Sequence, residues 1–239
     1  MVSQTVEKAL RIMEALGDGE ARLVDIAAEL GEHKSNVQRL LATLESRGFV
    51  RQDQSTRRYS LGIKILQLAS EVLTSLDLRT AAQDVLYEIN DLTGETVHLG
   101  IYDEMQVVYI DKRESTYPIR MYSRVGARAE CYCTGVGKAI IAFLPDGELQ
   151  RYLENVTFTR YTPRTITTGK KLHEEIARIR SLGYARDEQE HEEGVRCVAA
   201  PVFGFGGDVV GSISVAAPAF RKSADEIEAL APELMEAAR

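Results

Sequence analysis

The sequence predicts an α+β chain: a small helical head closed by a hairpin, a connecting helix, then an antiparallel sheet flanked by helices. Three observations carry this expectation. Two short amphipathic helical patterns meet at a glycine turn between Leu23 and Leu44, a strongly apolar helix follows at Ile63–Leu76, and strand and helix patterns alternate beyond Asp77. At 239 residues, one or two domains are expected. A composition of 44% hydrophobic and 27% charged residues is enough to bury a core. No apolar run approaches the roughly 20 residues of a membrane helix, which excludes a membrane-spanning reading. The first residues carry no signal-peptide pattern. Three cysteines, two of them one residue apart (Cys131 and Cys133), do not make a disulfide framework, and a reducing cytoplasm is the simplest location. A net charge of −7 argues against a general chromatin or RNA coat protein.

The elements follow in order. Residues 2–17 read as a first helix, with Val6, Ala9, Leu10, Met13 and Leu16 on one face and Gly17 as its stop. Ile26, Ala27 and Leu30 then stripe a second helix, and Val37, Leu40, Leu41 and Leu44 a third, with a turn at Gly31-Glu32-His33. Ser35, with Gln38 three residues on, reads as the capping box that opens the third helix. Its outward side chains, Asn36, Gln38, Arg39 and Thr43, can reach base edges and phosphates, and no carboxylate joins them before Glu45. Arg47-Gly48-Phe49-Val50-Arg51 ends the helix and begins a strand, Gln52 to Arg58 is a polar turn, and Tyr59-Ser60-Leu61 returns.

A plain helical hairpin is the bland alternative, but a recognition-type helix followed by a small hairpin reads as a winged helix-turn-helix. From Gly31 to Arg58 six basic residues face three acidic ones, a local net of +3 inside an acidic chain. That is the footprint phosphate binding needs. The DNA-contacting set expected is Lys34, Ser35, Asn36, Gln38, Arg39, Thr43, Arg57 and Arg58.

Residues 1–62 thus form the winged domain, 63–76 a linker and dimerisation helix, and 77–239 a third region. The linker (Ile63, Ile65, Leu66, Leu68, Ala69, Val72, Leu73, Leu76) is too apolar to stand alone in water and calls for a second copy of the chain. Farther on, a helix runs to Thr93-Gly94, and strands are expected at Thr96–Tyr102, Gln106–Asp111 and Ile119–Val125. Helices are expected at Gly135–Leu144, Asp146–Leu153 and Lys170–Leu182. Strands return at Val195–Phe203 and Val209–Ala216 around a Gly206-Gly207-Asp208 turn, and a closing helix starts at the Ser223/Glu226 capping box.

Two later segments are specific: Cys131-Tyr132-Cys133-Thr134-Gly135-Val136-Gly137-Lys138-Ala139-Ile140, and Gly183-Tyr184-Ala185-Arg186-Asp187-Glu188-Gln189-Glu190 continuing through Gly194 to Val202. With the winged helix, they make the whole chain resemble the isocitrate-lyase-regulator (IclR) family of prokaryotic transcription factors. The resemblance implies a winged helix, a dimerising linker helix and a GAF-like effector-binding domain, often in a dimer of dimers. It places Gly135 and Val136 at the turn that holds an effector, Asp187, Cys197 and Ser214 at polar positions, and Met121 and Ala129 on the apolar wall. The residues support this in part: Thr134 can cap a helix whose glycines leave backbone N–H groups open to a carboxylate. Where the family carries a second serine after Ser214, this chain has Ala216, so the effector is expected to differ from that of members with both hydroxyls.

Each position has a plainer reading. Cys197 lies between Val195 and Val198 as a small hydrophobe. Asp187 lies in an acidic run that reads as a solvated loop, and the face of Ser212 and Ser214 is either cavity or solvent.

The expected partners are a palindromic double-stranded DNA operator, a small organic effector (a carboxylate or aromatic), a homodimer or dimer of dimers, and RNA polymerase. No cofactor, metal or catalysis is expected. Cys197, His191 and Asp187 do not fall at triad spacing, and Cys131-x-Cys133 with His98 and His191 lacks common zinc spacing. Gly135-Val136-Gly137-Lys138 lacks the first glycine and the Ser/Thr of a phosphate loop. The competing class is a DNA-binding protein whose C-terminal domain serves only oligomerisation.

Overall fold

The computed structural model describes residues 3–74, 77–118, 121 and 123–239, and divides into two compact units, Met1–Ser75 and Leu76–Arg239. The first holds α1 (Gln4–Gly17), β1 (Ala21–Arg22), α2 (Leu23–Leu30), α3 (Lys34–Ser46), β2 (Val50–Gln52), β3 (Arg58–Leu61) and α4 (Ile63–Thr74). Its core gathers Ile12, Leu16, Ile26, Ala27, Leu30, Val37, Leu41, Val50 and Tyr59. Gly31 closes α2 at φ 68°, the left-handed conformation that lets the chain reverse into α3.

Three local expectations change. On α1, Leu16 is buried as expected and Met13 packs on the core, but Ile12 is buried with them while Val6 and Leu10 remain exposed. The two stripes overlap in sequence, and periodicity alone cannot choose between them. Ser35 does not cap α3: the helix begins at Lys34, and extended His33 is its N-cap, with no side-chain cap bond. The Asn36 and Val37 amides bond His33 O, so Ser35 already lies inside the first turn. The wing also gains β1, which pairs with β3 to give the order β1-β3-β2. A two-residue strand leaves no alternation to read.

The second unit runs α5 (Asp77–Thr93), β4 (Thr96–Asp103), β5 (Gln106–Arg113), β6 (Arg128–Glu130), α6 (Gly135–Ile141), α7 (Asp146–Asn155) and α8 (Gly169–Leu182). It continues with β7 (Ala185–Glu188), β8 (Val195–Phe203), β9 (Val209–Pro218), α9 (Ala224–Glu228) and α10 (Ala231–Ala237). The strands form one antiparallel sheet in the order β6-β5-β4-β9-β8-β7. Alternation sorts the side chains between its faces. Val97, Leu99, Val198, Ile213 and Val215 pack with Leu86 and Ile89 of α5 and Leu234 of α10. The opposite face carries a second core built from α6, α7 and α8, with Val136, Ile140, Tyr152, Leu172 and Ile176.

Of the strand expected over 119–125, Ile119, Arg120 and Tyr122 lie outside the described residues, and Met121 and Ser123–Val125 carry no strand. The edge strand is β6, entered through a turn at Gly126 (φ 85°). Asp187 is not in a solvated loop: it sits on β7, 5% exposed. The Ser223/Glu226 capping box forms, with Ser223 N donating to Glu226 Oε2 at 2.8 Å. Its helix is soon interrupted, and α10 restarts with a proline in its first turn.

Candidate functional sites: a DNA-reading face and a sheet cavity

On the first unit, Lys34, Ser35, Asn36, Gln38, Arg39 and Thr43 of α3 are exposed. Val37 and Leu41 behind them are fully buried and fix the rotation of the helix. Thr43 Oγ1 turns back to donate to Arg39 O at 3.0 Å. Glu45 accepts from Gln52 N at 3.0 Å and joins α3 to β2, while Glu32, paired with Lys8 at 2.7 Å, also takes a hydrogen bond from the Asn36 side chain. The wing tip is organised by Asp53, whose Oδ1 accepts from Ser55 N, Ser55 Oγ and Thr56 N at 2.8, 2.6 and 2.9 Å. These bonds pull its carboxyl down to about 2. Arg57 is exposed at the tip with φ 57°, whereas Arg58 is half-buried and donates to Glu20 O at 3.1 Å, bracing the wing's base.

On the second unit, the seven residues expected to hold an effector, Met121, Ala129, Gly135, Val136, Asp187, Cys197 and Ser214, line one cavity of about 290 Å³. Strand register explains how they converge. Asp187 pairs with Cys197 and Cys197 with Ala216, making one row across β7, β8 and β9. Ala199, Ser214 and His98 make the adjacent row across β8, β9 and β4. Directly opposed residues share a face, so these rows form the cavity floor.

The start of α6 lies over that floor. Thr134 accepts from Gly137 N at 3.2 Å and donates to Glu130 O at 2.8 Å, the cap expected from sequence. Gly137 N–H is therefore used, and only the Gly135 and Val136 amides stand ahead of the helix's own bonds. A Cβ on Gly135 would come within 2.8 Å of Cys197 Sγ, so the glycine keeps this corner open.

The floor's electrostatics follow from burial. Desolvation raises the Asp187 carboxyl to about 7, opposed by Lys138 and reinforced by Glu190. It pushes the Cys197 thiol up to about 12, with Asp187 adding to the shift, which removes a nucleophilic role at neutral pH. Ser214 Oγ is buried with no oxygen or nitrogen partner among the described residues and has only the Cys197 thiol beside it. Ser212, expected on the same face, donates instead to Ala200 O at 2.9 Å and does not line the cavity.

Sequence reasoning missed several neighbours. His98, Tyr109, Ser123, Arg124 and His191 also line the cavity. The available signal was the alternation Thr96-Val97-His98-Leu99-Gly100, which sets His98 opposite the apolar face. Lys112 donates to Met121 O and Ser123 O at 2.9 and 2.7 Å, holding that stretch of wall against β5. Beside the cavity, fully buried Lys138 pairs with Glu190 and, at 3.6 Å, with Glu175. Glu190 N in turn donates to Asp187 Oδ1 at 2.7 Å. This ionic brace fixes where Asp187 sits.

Among the described residues no helix is long and apolar enough to cross a membrane. Comparison with known proteins gives a consistent result. The IclR helix-turn-helix domain model matches residues 5–54, and the model for the bacterial transcriptional regulator IclR C-terminal domain matches residues 70–239. The HTH-type transcriptional regulator KdgR of Escherichia coli K12 is 37% identical over 98% of this chain and 90% of its own length. XynR of the same organism, also an HTH-type transcriptional regulator, is 35% identical over 99% and 94%. Among solved structures, the Thermotoga maritima IclR superposes with a TM-score of 0.83 at 37% identity, covering 98% of this chain and 95% of that one. An IclR homologue from Microbacterium hydrocarbonoxydans, complexed with 4-hydroxybenzoate, shares the fold at a TM-score of 0.85 and 18% identity, covering 98% and 96%. The relatives are transcriptional regulators, not enzymes. The chain belongs to the IclR family of bacterial transcriptional regulators.

Proposed function

We propose that this protein binds a specific operator through α3 and the wing, and that a small organic acid in the sheet cavity changes its operator affinity. The observation that carries the reading is the cavity lining: Gly135 and Val136 at the first turn of α6, a Ser214 hydroxyl with no oxygen or nitrogen partner among the described residues, and a titratable Asp187 around about 290 Å³. A module used only for oligomerisation has no need of such groups, because unpaired buried polar atoms cost stability. Backbone N–H groups at the start of α6 suit a carboxylate, and the hydroxyl suits a second oxygen on the same molecule. The 4-hydroxybenzoate of the Microbacterium hydrocarbonoxydans homologue belongs to a protein that shares only the fold, so the ligand class rests on this chain's own lining.

The output passes through dimers, in this reading. Ile63 and Leu66 of α4 are 69% and 63% exposed, an apolar surface suited to a second copy of the chain, as homodimer or dimer of dimers. Two linked winged domains read two half-sites, so a ligand that favours one spacing shifts affinity by its differential binding to the two arrangements. RNA polymerase as a further contact remains part of the proposal through the family resemblance alone.

Thermal melting of the full chain against a panel of small carboxylic acids tests the ligand half of the reading. At least one acid is expected to raise Tm with a saturating dose dependence. A flat response across the panel favours the oligomerisation-only alternative.

A further inference from the structure

His98 lines the cavity and has no role in the reading above. It stands on β4 directly opposite Ser214 of β9, and the two side chains project from the same face of the sheet. The ring is 5% exposed, lies 4.9 Å from the Tyr109 ring, and places Nε2 2.6 Å from Ser123 Oγ. Burial, with Lys112 nearby, holds the imidazole neutral at about 3. A neutral ring has one donor and one acceptor nitrogen; Ser123 Oγ takes Nε2, which leaves Nδ1 for a ligand hydroxyl. Ser214 is 1% exposed, and its hydroxyl meets no oxygen or nitrogen partner among the described residues, only the weakly bonding Cys197 thiol beside it. Ala216, next along β9, also lines the cavity and offers no polar atom. Beside Ala216, the His98–Ser214 pair is therefore the polar part of this stretch of β4 and β9.

We propose that His98 is a specificity-determining residue which, with Ser214, selects an effector bearing a hydroxyl group in addition to its carboxylate. The proposal rests on the cavity being an effector site. A hydroxyl is the group that fits, because it donates and accepts at once: it can give its proton to one wall atom and accept from the other. A plain acid of the same shape would leave Ser214 without an oxygen or nitrogen partner and would displace water from the pair without replacing its bonds.

Isothermal titration of the full chain with charge-matched acids tests this. The probes are butyrate with 3- and 4-hydroxybutyrate, and benzoate with 3- and 4-hydroxybenzoate. The wild-type protein should bind at least one hydroxylated acid about tenfold more tightly than its parent. His98→Phe, which keeps a ring against Tyr109, and Ser214→Ala should each bring that ratio close to one. His98→Gln should restore part of the preference. If His98→Phe does not fold, Ser214→Ala alone carries the test, since it replaces a hydroxyl by hydrogen and breaks no bond to an oxygen or nitrogen among the described residues. Binding of the parent acids with no hydroxyl preference, or a preference that survives both substitutions, overturns the proposal and leaves the effector reading standing. Binding of none of the six acids removes the effector reading and this inference together.

Discussion

Because burial lifts the Asp187 carboxyl to about 7, the residue changes charge near neutral pH while facing the cavity. Its folded pKa lies above the ordinary 3.8, so the folded state holds this proton more tightly than the unfolded chain does. The stability it contributes is complete below about 3.8 and is lost as pH rises through about 7. Asp187→Asn, which cannot ionise, should therefore melt above wild type at pH 8, with the gap closing toward pH 4. A bound carboxylate repels ionised Asp187, so wild-type affinity for an acid should fall between pH 6 and pH 8, while Asp187→Asn stays flat. Titrations at the two pH values check this, and an equal fall in both proteins removes Asp187 as the cause. At the other site, Arg39 is exposed on α3, and Glu45 of the same helix is engaged by Gln52 N. Arg39→Ala should weaken binding to the selected operator by about 1–3 kcal/mol and leave random-sequence DNA nearly unaffected. The same loss on both DNAs would make Arg39 a phosphate contact without a reading role.

At the scale of elements, the two glycines of α6 have different reasons to be glycine. A Cβ on Gly137 would lie 2.3 Å from Cys131 Cα, a backbone atom that cannot step aside. On Gly135 it would lie 2.8 Å from the Cys197 side chain, at the edge of the cavity. Gly137→Ala should therefore cost at least about 1–3 kcal/mol in denaturant unfolding, whereas Gly135→Ala should fold and lose the acid-induced rise in Tm. An unaltered ligand shift in Gly135→Ala would place the ligand elsewhere. The same helix shows what was legible in the sequence. Thr134 announced its cap because the capping residue and the glycines after it are contiguous. Asp187 did not announce its burial, because β7 is only four residues long and the next carboxylate, Glu188, pairs with Arg164 and Arg196. His98, Ser214 and Ala199 meet only through strand register, which no local pattern contains. Ser35 misled because its spacing to Gln38 fits a capping box, while extended His33 starts the helix two residues earlier.

For the whole molecule, the order of the two units was readable because each announces itself differently. The winged unit carries basic charge and outward amides, and the second carries a sheet whose strands alternate cleanly. How a ligand in one reaches DNA in the other depends on assembly, in the proposed mechanism on the apolar surface of α4. The energy available to such coupling is bounded by the ligand's preference between two arrangements, typically about 1–3 kcal/mol or some 5- to 150-fold in affinity. The direct test is the affinity of the full chain for an operator recovered from a random-sequence pool, measured with and without a saturating acid found by the melting screen. The account predicts a shift of at least about fivefold in wild type and none in Gly135→Ala. Equal affinities and identical footprints with the cavity filled or empty would contradict it.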